Sequence, residues 1–215
     1  MTARFRNRAE AGRHLAMKLG AYAGRNDVTV LALPRGGVPV AAEVARALDA
    51  PLDVFVVRKL GLPGHEEFAM GAVASGGVRL LDERVIGGLG ITRAQVERVT
   101  AAERAELERR ERRYRGDRPF PDLGGRTVIL VDDGLATGST MLAAVEALRR
   151  EGPSRLVVAV PVSAVETCDA FRDIVDEIVC AVTPEPFRAV GLWYEDFSQT
   201  TDEEVHQLLA RARVP

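Results

Sequence analysis

Two adjacent carboxylates, Asp132 and Asp133, sit between an apolar run and a turn of small and hydroxylated residues in VILVDDGLATGST, residues 128 to 140. The apolar run, Val128 to Val131, predicts a strand buried on both faces, as in a parallel sheet. The turn from Gly134 through Ala136 and Thr137 to Gly138 opens into a helix predicted to begin near Ser139. In such a strand–turn–helix, unpaired backbone N–H groups and the positive end of the helix dipole converge on one anion. The hydroxyls of Thr137, Ser139 and Thr140 add donors. The turn lacks the Gly-Lys-Ser/Thr ending of a Walker loop and the GxGxxG of a dinucleotide fingerprint. A carboxylate pair can instead accept two vicinal hydroxyls, so carboxylates beside a phosphate cradle suit a ribose 5-phosphate. One Asp alone would read as the cap of a polar turn; the whole run reads as a site.

Two further loops carry chemistry. Leu33-Pro34-Arg35-Gly36-Gly37 follows a predicted strand. Its glycines remove Cβ atoms so that backbone N–H groups can approach an anion, and Arg35 offers a charged fork for phosphate oxygens. Arg58-Lys59 follows another predicted strand and leads into a Gly- and Pro-rich loop that ends at Glu67. Those two cations could neutralise a departing anion, and Glu66 and Glu67 lie beside them. Near the C-terminus, Phe187, Trp193, Tyr194 and Phe197 cluster within one short stretch, with Val190 and Asp196 between them. The residues leave two readings of this stretch open: a surface for an acceptor, or a lid packed on the core.

The elements that must position these residues alternate. Residues 7 to 24 predict a helix, Val28 to Leu33 a strand, Val38 to Leu48 a helix and Leu52 to Val57 a strand. Phe68–Ala74 and Val78–Leu81 predict a hairpin about Ser75-Gly76-Gly77. Thr92 with Gln95 is a capping box for a long charged helix that ends near Arg115. Beyond the central strand come a helix from Ser139 to Arg150, a strand from Arg155 to Val162, a helix from Ala164 to Ile174, a strand from Glu177 to Val182 and a terminal helix from Asp202 to Arg213. This order predicts an α/β fold, a doubly wound, mostly parallel sheet flanked by helices. It forms one domain over residues 1–215, with a core at about 25–183 and a small hood at about 184–200 joined by the terminal helices. Ligands in such sheets bind at the carboxyl ends of the strands, where all these loops fall.

Composition sets bounds. The chain has 215 residues, a net charge of −2 and 47% hydrophobic residues, values that argue against bulk binding to nucleic acid or to anionic membrane. No run is long enough to span a membrane and the N-terminus lacks a signal-peptide core, so a cytoplasmic location is expected. Cys168 and Cys180 are too few for a disulfide framework and lie in apolar patterns. His14, His65 and His206 are scattered and adjoin no cysteine, which argues against zinc.

The run from 128 to 140 resembles the 5-phosphoribosyl-1-pyrophosphate (PRPP) motif of the type I phosphoribosyltransferases: four apolar residues, Asp-Asp, three loose positions, Thr-Gly-Ser-Thr. LPRGG, VRK, the EFAMGAV-type segment and VDDG-ATG together resemble a group of bacterial phosphoribosyltransferase-like proteins over nearly the whole chain. The resemblance implies that Asp132 and Asp133 hold the ribose hydroxyls and that Gly134 and residues 136 to 140 bind the 5-phosphate. Arg35, Gly36, Gly37 and Lys59 would hold pyrophosphate, while Arg58, Glu66 and Glu67 would belong to a mobile lid. Phe187, Val190, Trp193, Tyr194 and Asp196 would form the hood that reads the acceptor base. It further implies Mg²⁺, held mainly by the ligand's own oxygens with Asp132 and Asp133 as candidate partners, a small-molecule base as acceptor, and a homodimer. The expected activity is transfer of ribose 5-phosphate from PRPP to a nitrogenous base with release of pyrophosphate. The rival is a non-catalytic PRPP-sensing regulator. The lysine that 6-oxopurine enzymes carry is missing from residues 177 to 183, so the acceptor stays open.

Overall fold

The computed structural model describes residues 4–212. Its centre is a five-stranded sheet in the order β2-β1-β6-β7-β8, parallel at every pairing. The strands are β1 (Val28–Ala32), β2 (Leu52–Val54), β6 (Thr127–Val131), β7 (Arg155–Val162) and β8 (Glu177–Val182). β1 and β6 are buried at every residue, which is why each reads as an unbroken apolar run rather than an alternating one. Helices α1 (Arg8–Lys18), α2 (Gly37–Leu48) and α7 (Asp202–Arg211) cover one face, packed on Val28, Val30, Ile129 and Val131. Helix α5 (Ser139–Arg150) covers the other face, packed on Val128, Leu130 and Val158, and α6 (Val165–Phe171) joins it there through Phe171.

From β1 the chain crosses to β2 on one side; from β6 it crosses to β7 and β8 on the other. The crevice at which a doubly wound sheet takes its ligand therefore lies beyond the carboxyl ends of β1 and β6. The PRGG loop and the Asp132-Asp133 loop leave from those two ends.

A second, antiparallel sheet in the order β3-β4-β5 stands apart from the first. It comprises β3 (Val57–Leu62), β4 (His65–Ala74) and β5 (Val78–Leu81), and α3 (Glu83–Gly88) and α4 (Arg93–Arg115) follow. The Thr92/Gln95 capping box opens α4, and the helix ends at Arg115, both as expected. The segment after Arg58-Lys59 differs from expectation. It is not a loop but the continuation of β3, turned at Pro63-Gly64 into β4. Gly61, which looks like a breaker, is absorbed at an irregularity of the β3–β4 register. Its Cβ would lie 2.8 Å from the Glu66 carbonyl oxygen, so only glycine lets the two strands approach there.

Three smaller differences follow. The first helix stops at Lys18 and gives way to a 3₁₀ turn, Gly20–Tyr22. The terminal helix ends at Arg211, and its expected extension to Arg213 lies outside the described residues. Cys168 of α6 and Cys180 of β8 are joined as a disulfide across 6.5 Å between Cα atoms, although two cysteines in apolar patterns gave no sign of pairing. Among the described residues no helix is long and apolar enough to cross a membrane.

Candidate functional site

Backbone contact closes the crevice. A Cβ on Gly36 would fall 2.1 Å from Asp133 Oδ2, and one on Gly37 would fall 2.8 Å from the Val131 carbonyl oxygen and 2.9 Å from Asp132 Cα. The two glycines are thus required because the PRGG loop lies directly on the carboxylate pair. The Gly37 N–H is spent on the Leu33 carbonyl at 3.0 Å, so it is not the free anion donor expected of it. Arg35 leans towards the start of α7, 3.9 Å from Asp202, which also accepts from Tyr114 Oη at 2.6 Å.

Asp132 and Asp133 emerge together from β6, half-buried. Asp132 Oδ1 accepts from the Asp133 N–H at 2.8 Å. Removal from water, followed by the Asp133 charge, pushes Asp132 above the usual carboxylate range. Burial also raises Asp133, opposed by the Arg8 guanidinium bonded to it. That bond, Arg8 Nε to Asp133 Oδ2 at 2.8 Å, is one that sequence reasoning did not find. The one available signal is weak: a cation in the first turn of a helix is opposed by the dipole and calls for an anion elsewhere.

The turn after the carboxylates leads to α5. Gly138 takes φ of +74° and acts as an N-cap that supplies no side-chain hydrogen bond, so the first N–H groups of α5 are left without a side-chain cap. Ala136, Thr137, Ser139 and Thr140 are exposed around it. The turn is held from behind: Thr167 Oγ1 donates to the Ala136 carbonyl at 2.7 Å, and Phe171 packs where a Cβ on Gly138 would fall. Gly134 is likewise filled over, by Val190 of the hood.

Lys59 reaches this turn from β3, with Nζ 2.8 Å from Ser139 Oγ. Arg58 does not reach it. Adjacent strand residues point to opposite faces, and Arg58 Nε instead donates to Glu103 of α4 at 2.7 Å. The structure therefore brings Lys59 onto the turn and ties Arg58 to α4, where it lines the cleft beside Lys59 without reaching Ser139. Glu66 is exposed on the hairpin, where with Lys59 and Thr140 it lines a cleft of about 640 Å³ against α4. The Glu67 side chain lies outside the described residues.

The hood, which contains a short 3₁₀ turn at Val190–Trp193, packs inward. Phe187, Val190 and Trp193 lie against Phe5, Ala11, Val162 and Tyr194. Tyr194 is 3% exposed and donates its hydroxyl to the Asp133 carbonyl at 2.5 Å; burial raises its pKa. Trp193 Nε1 is buried without a partner among the described residues. Asp196 points to solvent and accepts from the Ser198 N–H at 2.9 Å. Of the two readings of this stretch, the packed lid describes Tyr194, while Phe187, Val190 and Trp193 remain partly open.

The switch-point crevice of this α/β sheet thus brings together a carboxylate pair, a helix start without a side-chain cap and an overlying lysine. Comparisons with known proteins show the family. The model of the phosphoribosyl transferase domain matches residues 3–185, and the chain belongs to that family. It is 46% identical over 208 residues to a Mycobacterium tuberculosis H37Rv protein named "Putative phosphoribosyl transferase Rv0571c", covering 97% of this chain and 47% of that protein. The chain thus spans about half the length of the curated relatives it matches. The crystal structure of TT1426 from Thermus thermophilus superposes with a TM-score of 0.84 at 45% identity, over 97% of this chain and 98% of that one. The AQ2163 protein from Aquifex aeolicus, 12% identical, shares the fold with a TM-score of 0.50 over 86% of this chain and 78% of its own.

Proposed function

We propose that the protein transfers ribose 5-phosphate from PRPP to a nitrogenous base and releases pyrophosphate. The observation that carries this reading is the convergence of Asp132, Asp133 and the open start of α5 in one crevice, under Lys59. In the proposed complex the carboxylates accept the ribose hydroxyls, and the N–H groups and hydroxyls of residues 137 to 140 bind the 5-phosphate. Lys59 and the PRGG loop face the pyrophosphate, where positive charge favours its departure. The β3–β4 hairpin excludes water from an oxocarbenium-like centre that water would otherwise quench.

Among the described residues no cluster of three His, Cys, Asp or Glu side chains could hold a metal by itself. Two carboxylates beside a phosphate site do fit Mg²⁺, which binds one or two carboxylates and completes its shell with ligand oxygens and water. When bound, the ion would neutralise the pyrophosphate oxygens.

The inward packing of Tyr194 favours keeping a second reading, a protein that binds PRPP without turnover. Pyrophosphate release from PRPP and Mg²⁺ across a panel of purine, pyrimidine and pyridine bases, run beside calorimetric PRPP binding, separates the two. Release with one base supports transfer and names the acceptor. Binding without release for any base supports the sensor. Absence of PRPP binding rejects both.

A further inference from the structure

Arg8 stands in the crevice and the reaction as proposed does not use it. Besides its bond to Asp133, its Nη1 donates to the Ser198 carbonyl at 2.7 Å, and its guanidinium lies 4.0 Å from the Phe197 ring centroid. The Arg8 side chain is 11% exposed and that of Asp133 15%. The backbone that carries it is pinned to the hood: Phe5 N–H donates to the Trp193 carbonyl at 2.9 Å and Glu195 N–H to the Phe5 carbonyl at 2.8 Å. Asn7 caps α1 by accepting from the Glu10 N–H, so Arg8 is not needed to start the helix.

The geometry at Asp133 is asymmetric. Oδ2 is wedged between Arg8 and the face of Gly36, whereas Oδ1 accepts no hydrogen bond among the described residues. A carboxylate fixed through one oxygen presents the other in a single direction, which lowers the cost of ordering it when a hydroxyl arrives.

We propose that Arg8 is a positioning residue of the ribose site, holding Asp133 through Oδ2 so that Oδ1 is aimed at a ribose hydroxyl. The inference rests on the PRPP reading. It makes the sugar site depend on a clamp formed by the N-terminal segment and the hood, with the guanidinium stacked on Phe197 as its hinge pin. Arginine suits this place because its planar fork serves two acceptors and a ring face together, which an ammonium does not.

The test is calorimetric PRPP binding with Mg²⁺ for the wild type, Arg8→Met, Arg8→Lys, Asp133→Asn and the Arg8→Met/Asp133→Asn double variant, with KM and kcat where turnover is found. Arg8→Met is expected to weaken PRPP binding at least about tenfold, as loss of a charged hydrogen bond does, and to raise KM for PRPP more than it lowers kcat. Arg8→Lys recovers part of that loss. In the Asp133→Asn background the same Arg8→Met change costs less than about threefold, because residues that act through one another are not additive. Unchanged affinity in Arg8→Met overturns the proposal, and so does tighter binding, which would make Arg8 a competitor for the site. A full loss in the Asp133→Asn background overturns it as well. Should Arg8→Met not fold, Arg8→Lys carries the test, and wild-type affinity in that variant overturns the proposal. A wild type that binds no PRPP rejects the PRPP reading and this inference with it; a wild type that binds beside an unaffected Arg8→Met rejects this inference alone.

Discussion

The two sheets meet at one crevice but are built on different terms. The parallel sheet delivers Asp132-Asp133 and the PRGG loop from β6 and β1, strands with no exposed residue, and locks those loops together where Gly36 lies on the Asp133 carboxylate and Gly37 on the Val131–Asp132 backbone. The antiparallel sheet delivers Lys59 from a half-exposed strand, and its tip carries Phe68 at 61% exposure. A group on the first sheet cannot shift without disturbing close-packed backbone, whereas one on the second can move with its hairpin. In the reaction proposed above, the former would hold the sugar, whose position must not change. The latter would cover the leaving group of that reaction and then let it go.

The largest effect should come from Gly36→Ala. The new methyl would lie 2.1 Å from Asp133 Oδ2, so the loop or the carboxylate must move. A misplacement of about 1 Å can cost about 100-fold in rate, and a loss at least that large in kcat/KM for PRPP is expected. A variant with near wild-type kinetics would show that the crevice is not rigid. Asp133→Asn comes next. It leaves the packing and removes the charge, at a typical cost of about 1.5–3 kcal/mol, or roughly 10- to 150-fold in PRPP affinity by calorimetry. Lys59→Met acts on the other sheet and should split the constants differently. We expect kcat to fall about tenfold or more, as when a group that stabilises developing charge is lost, while PRPP affinity changes less than about threefold. If the two variants showed the same split, the division of labour between the sheets would fail.

That division also decided what could be read in the sequence. Strands buried on both faces leave unbroken apolar runs, and the loops that follow them carry their chemistry in consecutive residues. The parallel sheet, the switch-point crevice, the place of Asp132-Asp133 at its edge and the Ser139 helix start were therefore legible. The hairpin was not, because Gly61, Pro63 and Gly64 announce a loop while β3 runs through the first and turns at the other two. Without the strand, the alternation that sends Lys59 to the site and Arg58 to Glu103 could not be seen. Arg8 pairs with a residue 125 positions away, and the partners of the hood come from Phe5, Ala11 and Val162. Such contacts exist only once the chain has folded and leave no local pattern.

The smallest functional effect is expected where the rigid half carries a covalent link. Cys168 and Cys180 tie α6 to β8, and α6 supports the phosphate turn from behind through Thr167 and Phe171. If the turn owed its position to that link, reduction would loosen the proposed 5-phosphate site. The contacts argue otherwise. Thr167 reaches the Ala136 carbonyl without help from the sulfurs, and α6 has its own anchor in Phe171, which is 4% exposed. Closing a loop of this size should contribute at most about 3 kcal/mol through the unfolded chain, or roughly 6–12 °C in Tm for a protein of this length. The Cys168→Ala/Cys180→Ala variant should therefore melt several degrees lower by calorimetry and still bind PRPP within about twofold of the wild type, since its site contacts are untouched. A large loss of PRPP affinity would place the rigidity of this half of the crevice in the disulfide rather than in the sheet.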